Sequence, residues 1–108
     1  MARSTELVRG TLDLMVLKTL ELEPRHGLSV ADRIRQISSG TFEVSPGSLF
    51  PSLHRLEQHG FVRGEWTVSA EGRRVKAYTL TAAGRRQLEA EKREWARAAA
   101  AVNQVLES

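Results

Sequence analysis

Two clusters of side chains in this sequence are suited to holding an anion. One lies between residues 45 and 58: Ser45, Ser48, Pro51, His54, Arg55 and Gln58. Ser48 and the residues after it fall opposite Leu49, Leu53 and Leu56 if the stretch is helical. That face carries donors and one fixed charge, with Glu57 only at its flank. The other cluster is Arg73, Arg74 and Lys76. Hydroxyls beside the free N–H groups of a helix start bind phosphate oxygens. Guanidinium and imidazole groups reach phosphates or base edges. Both clusters are built for recognition of a phosphate polymer rather than for making or breaking bonds.

Catalytic groupings are missing. There is no Cys, hence no thiol nucleophile, thiolate metal site or disulfide framework. His54 and His59 are five apart, on different faces of a helix, and His26 stands alone in a presumed loop. No nucleophile elbow, phosphate-binding glycine loop or histidine–carboxylate cluster occurs. The expectation is a protein that is not an enzyme and needs neither metal nor cofactor.

The chain has 108 residues and a formal charge of +3. A single domain of this size buries only about 60–70% of its unfolded surface, so a second copy would add stability. Residues 45–86 hold seven cations (Arg55, Arg63, Arg73, Arg74, Lys76, Arg85, Arg86) against Glu57, Glu65 and Glu71, a local +4. The rest is therefore slightly acidic, and the basic charge sits where the two clusters are. Leu14 to Leu17 is an apolar run cut short by Lys18, far from a membrane span, and the start lacks the apolar core of a secretory signal. A cytoplasmic protein with no membrane partner is expected.

The elements that position these residues follow from periodicity and breakers. Residues 1–6 are polar, with Arg3 and Arg9 near the start. Leu7 to Leu22 is helical, with Leu12, Leu14, Met15, Val16, Leu17, Leu20 and Leu22 covering nearly the whole circumference, and Pro24 stops it. Residues 25–28 read as a loop. Ser29 and Asp32 form a capping box for a second helix that buries Val30, Ile34 and Ile37 and ends at Ser38-Ser39-Gly40. Thr41 to Val44 alternates like a short extended stretch. Ser45 or Ser48 caps the third helix, Pro46 suits its first position, and Gly60 closes it.

Val62, Gly64, Trp66 and Val68 share one parity, the pattern of a half-buried strand. Ser69 to Gly72 is a turn, and residues 73–80 return as the second strand. Thr81 caps a last helix to about Leu106 despite Gly84, which costs roughly 1 kcal/mol relative to Ala. Leu88, Trp95 and Val102 are seven apart, with Ala99 and Leu106 between or beyond them, a heptad-like seam for another helix. Leu12 and Met15 of the first helix join this surplus apolar surface. The fold class is mainly α with a small β-hairpin: a winged helix-turn-helix over residues 1–80, continued in the same compact unit by a dimerisation helix over 81–108. In a winged helix the third helix enters the major groove and the hairpin touches backbone or minor groove. The competing expectation is a winged-helix adaptor that binds protein through the same basic face.

Residues Gly47 to Gly60, with Leu49-Phe50-Pro51 and Leu53-His54-Arg55-Leu56-Glu57 between the glycines, resemble the recognition-helix signature of PadR-type transcriptional regulators. Arg9-Gly10-Thr11-Leu12-Asp13, Gly72-Arg73-Arg74-Val75-Lys76-Ala77-Tyr78 and Leu80-Thr81-Ala82-Ala83-Gly84-Arg85 agree with that family, in order, over about residues 7–106. The resemblance implies a homodimeric repressor acting on double-stranded DNA, with the first and last helices at the dimer interface. Two recognition helices about 34–36 Å apart would read a pseudo-palindromic operator. The family usually has Tyr where this chain has Phe50, so a hydroxyl contact to phosphate gives way to an apolar contact, such as a thymine methyl. In some relatives a flat aromatic effector wedges between such helices; here Trp95 and Met15 would line that site. Packing alone is the more ordinary reading of an aromatic at heptad spacing.

Overall fold

Leucines on three sides and good helix formers between them make the first helix, α1 (Thr5–Leu22), the centre of the molecule. In the computed structural model, residues 5–108 are described, with side chains from Gly10 onward. The polar start with Arg3, and the side chain of Arg9, lie outside the described residues. α1 buries Leu12, Val16, Leu17 and Leu20 against every other helix, while Leu22 at its end is exposed.

The chain next makes a two-residue strand, β1 (Arg25–His26), where a loop was expected. Its partner lies far along the chain, and Arg25 is held in place by its own side chain. Arg25 Nε donates to the Thr19 carbonyl at 3.1 Å and Nη2 pairs with Glu23 at 3.2 Å. The second helix, α2 (Gly27–Ile37), starts two residues before the expected capping box. His26 takes the N-cap position without a side-chain cap, and Ser29 accepts from Arg25 at 3.5 Å instead. Val30 and Ile34 are buried as expected, but Ile37 at the helix end is exposed. Residues 42–45 run to the third helix without entering a sheet.

The third helix, α3 (Pro46–Gln58), follows Ser45 as N-cap, though neither Ser45 nor Ser48 caps it through a side chain; their hydroxyls meet each other at 3.4 Å. Leu49, Leu53 and Leu56 are buried. Gly60 takes φ +76°, the left-handed turn that only glycine adopts cheaply, and Phe61 N–H returns to the Leu56 carbonyl at 2.9 Å. The hairpin strands β2 (Val62–Val68) and β3 (Arg74–Leu80) pair from Val62 opposite Leu80 to Val68 opposite Arg74. β1 adds to the other edge of β3, Arg25 opposite Tyr78, giving a three-stranded antiparallel sheet in the order β1-β3-β2.

Only the root of this hairpin is buried. Val62, Tyr78 and Leu80 join the core, whereas Trp66 and Val68, of the same parity as Val62, are 59% and 67% exposed. The half-buried strand expected from alternation is therefore buried at one end only, because the hairpin extends past the body of the domain.

The last helix, α4 (Ala82–Glu107), is about 39 Å long at 1.5 Å per residue. Thr81 caps it: its Oγ1 accepts from Gly84 N–H at 3.0 Å and donates to the Gly60 carbonyl at 2.6 Å. Gly84 is no mere cost to this helix. A Cβ there would stand 2.0 Å from the Phe61 carbonyl oxygen, so glycine is what lets α4 lie against the start of the hairpin. Leu88 is fully buried; beyond it Trp95, Val102, Val105 and Leu106 are exposed.

Candidate nucleic-acid interface

α3 presents Ser48, Phe50, Pro51 and His54 to solvent, with Ser45 exposed at its start. Pro51 has no N–H, so the Gly47 carbonyl loses its helical donor on this exposed side. Phe50 is 42% exposed, and the edge of its ring packs against Gly27 at the start of α2. It is thus shared between domain packing and the outer surface.

Arg55 behaves differently from its neighbours on the sequence. Its Nη2 pairs with Asp13 of α1 at 2.8 Å, and its side chain is 32% exposed. Ser52, fully buried, donates to the same Asp13 oxygen at 2.5 Å. The Arg55 Nε is buried with no hydrogen-bond partner among the described residues. Arg55 therefore faces α1 more than the outer surface, and its charge is already balanced. A guanidinium committed to a carboxylate in this way fixes helix orientation rather than offering itself to an incoming anion.

Lys76 is likewise engaged. Its Nζ lies 3.0 Å from Glu57 Oε1, tying β3 to the C-terminal end of α3. The hydrogen bond to Glu57 holds the Lys76 ammonium above the ordinary lysine range. The ammonium also stands 5.6 Å from the ring centre of Tyr78, whose hydroxyl is pushed up chiefly by burial. Arg63 faces Glu65 at 3.7 Å across a solvated surface. Arg73 and Arg74 are exposed and, among the described residues, pair with no carboxylate. The Arg74 guanidinium lies over the Trp66 ring, 4.7 Å from its centre. The turn before them is closed by Ser69, whose N–H donates to the Arg73 carbonyl at 2.8 Å and whose Oγ accepts from Arg73 N–H at 3.2 Å.

Of the cationic cluster expected from sequence, then, Arg73 and Arg74 remain open, while Arg55 and Lys76 brace α3 against α1 and β3. Sequence reading missed Asp13 and Ser52 as the other half of this brace. The signal available was their place in the two motifs, Gly10 to Asp13 and Gly47 to Gly60, which the fold brings into contact.

The residues expected at a subunit interface also divide. Leu12 and Leu88 are buried in the chain's own core, and Met15 packs against it, so Leu12 and Leu88 have no surface to give a second copy. Trp95, Val102 and Leu106 are exposed along α4, with Ala99 half-buried. Between α1 and α4 runs an open groove of about 270 Å³ lined by Gly10, Thr11, Leu14, Glu91, Glu94, Trp95 and Ala98. Leu14 lines this groove where Met15 was expected, although both side chains are half-buried against the core.

No helix among the described residues is long and apolar enough to cross a membrane. Three helices, a hairpin wing and a long terminal helix make a winged helix-turn-helix with an open cationic wing, and known proteins share this plan. Residues 16–90 match the profile of the Transcriptional regulator PadR-like family. The Mycobacterium tuberculosis protein named Transcriptional regulator Rv3488 is 38% identical over 88 residues, covering 82% of this chain and 78% of that one. A PadR family transcriptional regulator from Eggerthella lenta superposes with a TM-score of 0.80 at 29% identity, over 95% of this chain and 88% of that one. A transcriptional regulator from Clostridium thermocellum has the same fold, with a TM-score of 0.83 over 95% of this chain and 97% of that one at 20% identity. Since the matched profile runs unbroken from α1, through the α3 face and the wing, into α4, the chain belongs to the PadR-like family of transcriptional regulators, whose work is binding DNA to control transcription.

Proposed function

We propose that the protein is a homodimeric repressor that sets two copies of α3 into successive major grooves of a pseudo-palindromic operator. The observation that carries this reading is an exposed, carboxylate-free α3 face (Ser48, Phe50, Pro51, His54) together with Arg73 and Arg74 on the hairpin, which pair with no carboxylate among the described residues. Ser45 and Ser48 suit phosphate at the start of α3, His54 and Phe50 suit base edges, and the two arginines suit the backbone. A second copy is supported by Trp95, Val102, Val105 and Leu106, an apolar seam that the chain's own core leaves open. Seated across two grooves within a promoter, such a dimer would repress by blocking polymerase there.

A gel shift with the DNA upstream of the protein's own gene, in excess nonspecific duplex, tests this function. A retained, sequence-dependent complex supports the repressor; its loss to competitor supports a protein-binding adaptor. Replacing Arg73 and Arg74 together by Ala is expected to weaken binding to every duplex and to lower the slope of log K against log salt by about 1 per lost contact. An unchanged slope would remove the wing from the interface.

The α1–α4 groove supports control by a small molecule. Trp95 and Leu14 suit a flat aromatic ring; of the two carboxylates at the rim, Glu94 pairs with Arg97 at 3.4 Å and Glu91 accepts from Gln87 at 2.8 Å while keeping its charge toward a cationic ring. Bound there, it would alter how the α4 helices meet and so the spacing of the two α3 helices. Trp95 fluorescence in a Trp66→Phe background, titrated with planar aromatic cations, should quench or shift. No change would leave Trp95 as packing alone.

A further inference from the structure

Trp66 is an unusual residue to leave in water. It sits in β2 opposite Lys76, two residues beyond Gly64, on the face that at the root of the hairpin forms the core. Directly opposite residues of an antiparallel pair share a face, so Val62 and Leu80, Gly64 and Tyr78, Trp66 and Lys76, and Val68 and Arg74 follow one another outward on it. The first two pairs belong to the body of the domain. The third is anchored to α3 by the Lys76–Glu57 ion pair. Beyond that anchor, the indole has no core to cover and is 59% exposed. What lies on it is the Arg74 guanidinium, 4.7 Å from the ring centre.

A guanidinium that rests on a ring keeps the N–H donors of its own plane available. Arginine carries five N–H donors in that plane, arranged as a fork that matches two phosphate oxygens. Arg73, by contrast, has no ring beneath it, and Lys76 is committed to Glu57. Arg74 is therefore the one cation, among the described residues of the wing, that has no carboxylate partner yet rests against a ring. It lies on the same face of the sheet as the Lys76–Glu57 link to the C-terminal end of α3.

We infer that Trp66 is a positioning residue, which holds the Arg74 guanidinium edge-out as a preformed clamp for one phosphate of the duplex beside the site read by α3. Preorganisation is what makes this useful: an arginine already fixed by stacking loses less freedom when it meets phosphate. The inference rests on the DNA-binding reading above and refines which wing contact matters.

The test is a double-substitution cycle on binding to an operator duplex selected from random sequence. Trp66→Leu is expected to weaken binding roughly three- to fivefold, the effect a surface cation–π contact supports. Arg74→Ala should weaken it more and reduce the salt slope by about 1. The pair together should be no worse than Arg74→Ala alone, since the ring acts only through the guanidinium. Trp66→Phe, which keeps a ring to stack on, should bind like the unsubstituted protein. Additive losses, or a loss with Trp66→Phe equal to that with Trp66→Leu, would overturn the role given to Trp66. So would a fall in thermal midpoint that accounts for the weaker binding, because it would make the ring merely structural. If the unsubstituted protein shows no preference among duplexes, it is the DNA-binding reading that fails instead.

Discussion

Gly84→Ala is expected to destabilise the protein by about 2 kcal/mol net, an overpacking cost at the top of the roughly 1–3 kcal/mol range for a filled interior less the helix gain. In a free helix the same substitution would stabilise by about 1 kcal/mol, because glycine is the poorer helix former. The two effects have opposite signs here, and the contact decides. A Cβ at position 84 would lie 2.0 Å from the Phe61 carbonyl oxygen, 2.9 Å from its carbon and 2.7 Å from Leu80 Cδ1. The carbonyl has little room to retreat. It accepts from Thr81 N–H at 3.1 Å, and Phe61 N–H is itself bonded to the Leu56 carbonyl. So α4 would have to move away, loosening Leu88 from the core and undoing the Thr81 cap. Urea unfolding of the two proteins measures the difference. Equal or greater stability in the Ala protein would mean that helix propensity outweighs the close approach.

Asp13→Ala is the second substitution with a large expected effect, about 2–3 kcal/mol of stability and a loss of operator affinity of tenfold or more. Asp13 accepts from both Ser52 and Arg55, joining the middle of α1 to α3. Without it, the fully buried Ser52 loses its acceptor, and Arg55 is left part-buried with its Nε already unpartnered. Each unsatisfied buried group costs about 1–3 kcal/mol. Full burial of an ion pair would make the loss larger, about 3–5 kcal/mol, but the Asp13 and Arg55 side chains are 18% and 32% exposed. Affinity should fall because α3 is no longer held at one angle to α1, not because a phosphate contact is gone. The salt slope should therefore not decrease, unlike that of the Arg73/Arg74 variant. Removing both partners, Asp13→Ala with Arg55→Ala, should cost less stability than the sum of the single changes, since no charge is left unpaired. Thermal unfolding and salt-dependent binding check each part. Additive stability losses would show that the pair does not brace the helices.

How much of this was legible in the sequence depends on how local the cause was. α3 could be read nearly to the residue, because Pro46, three leucines at helical spacing and Gly60 all act within the helix they define. The Thr81 cap was legible for the same reason. β1 was not, since two residues carry no periodicity and its partner, Tyr78, is far along the chain. Alternation in β2 announced a strand but could not say what covers each face; Trp66 and Val68 alternate like Val62 yet project past the domain. Arg55 was assigned outward because a single helix shows which residues share a face, not which neighbour supplies Asp13. Gly84 looked like a weakness of α4 for the same reason: the atom it makes room for belongs to Phe61. The candidate interface was thus found as a region, while the division of its cations into open and committed needed the tertiary contacts.

The central claim is that two chains act as one reader of DNA. Hydroxyl-radical footprinting on a duplex selected from random sequence, with the mass of the same complex taken by light scattering, tests it most directly. Two chains per duplex are expected, protecting two half-sites one helical turn apart, about 34–36 Å along the axis. A single bound chain covering one site, or protection spread evenly over any duplex, would contradict it.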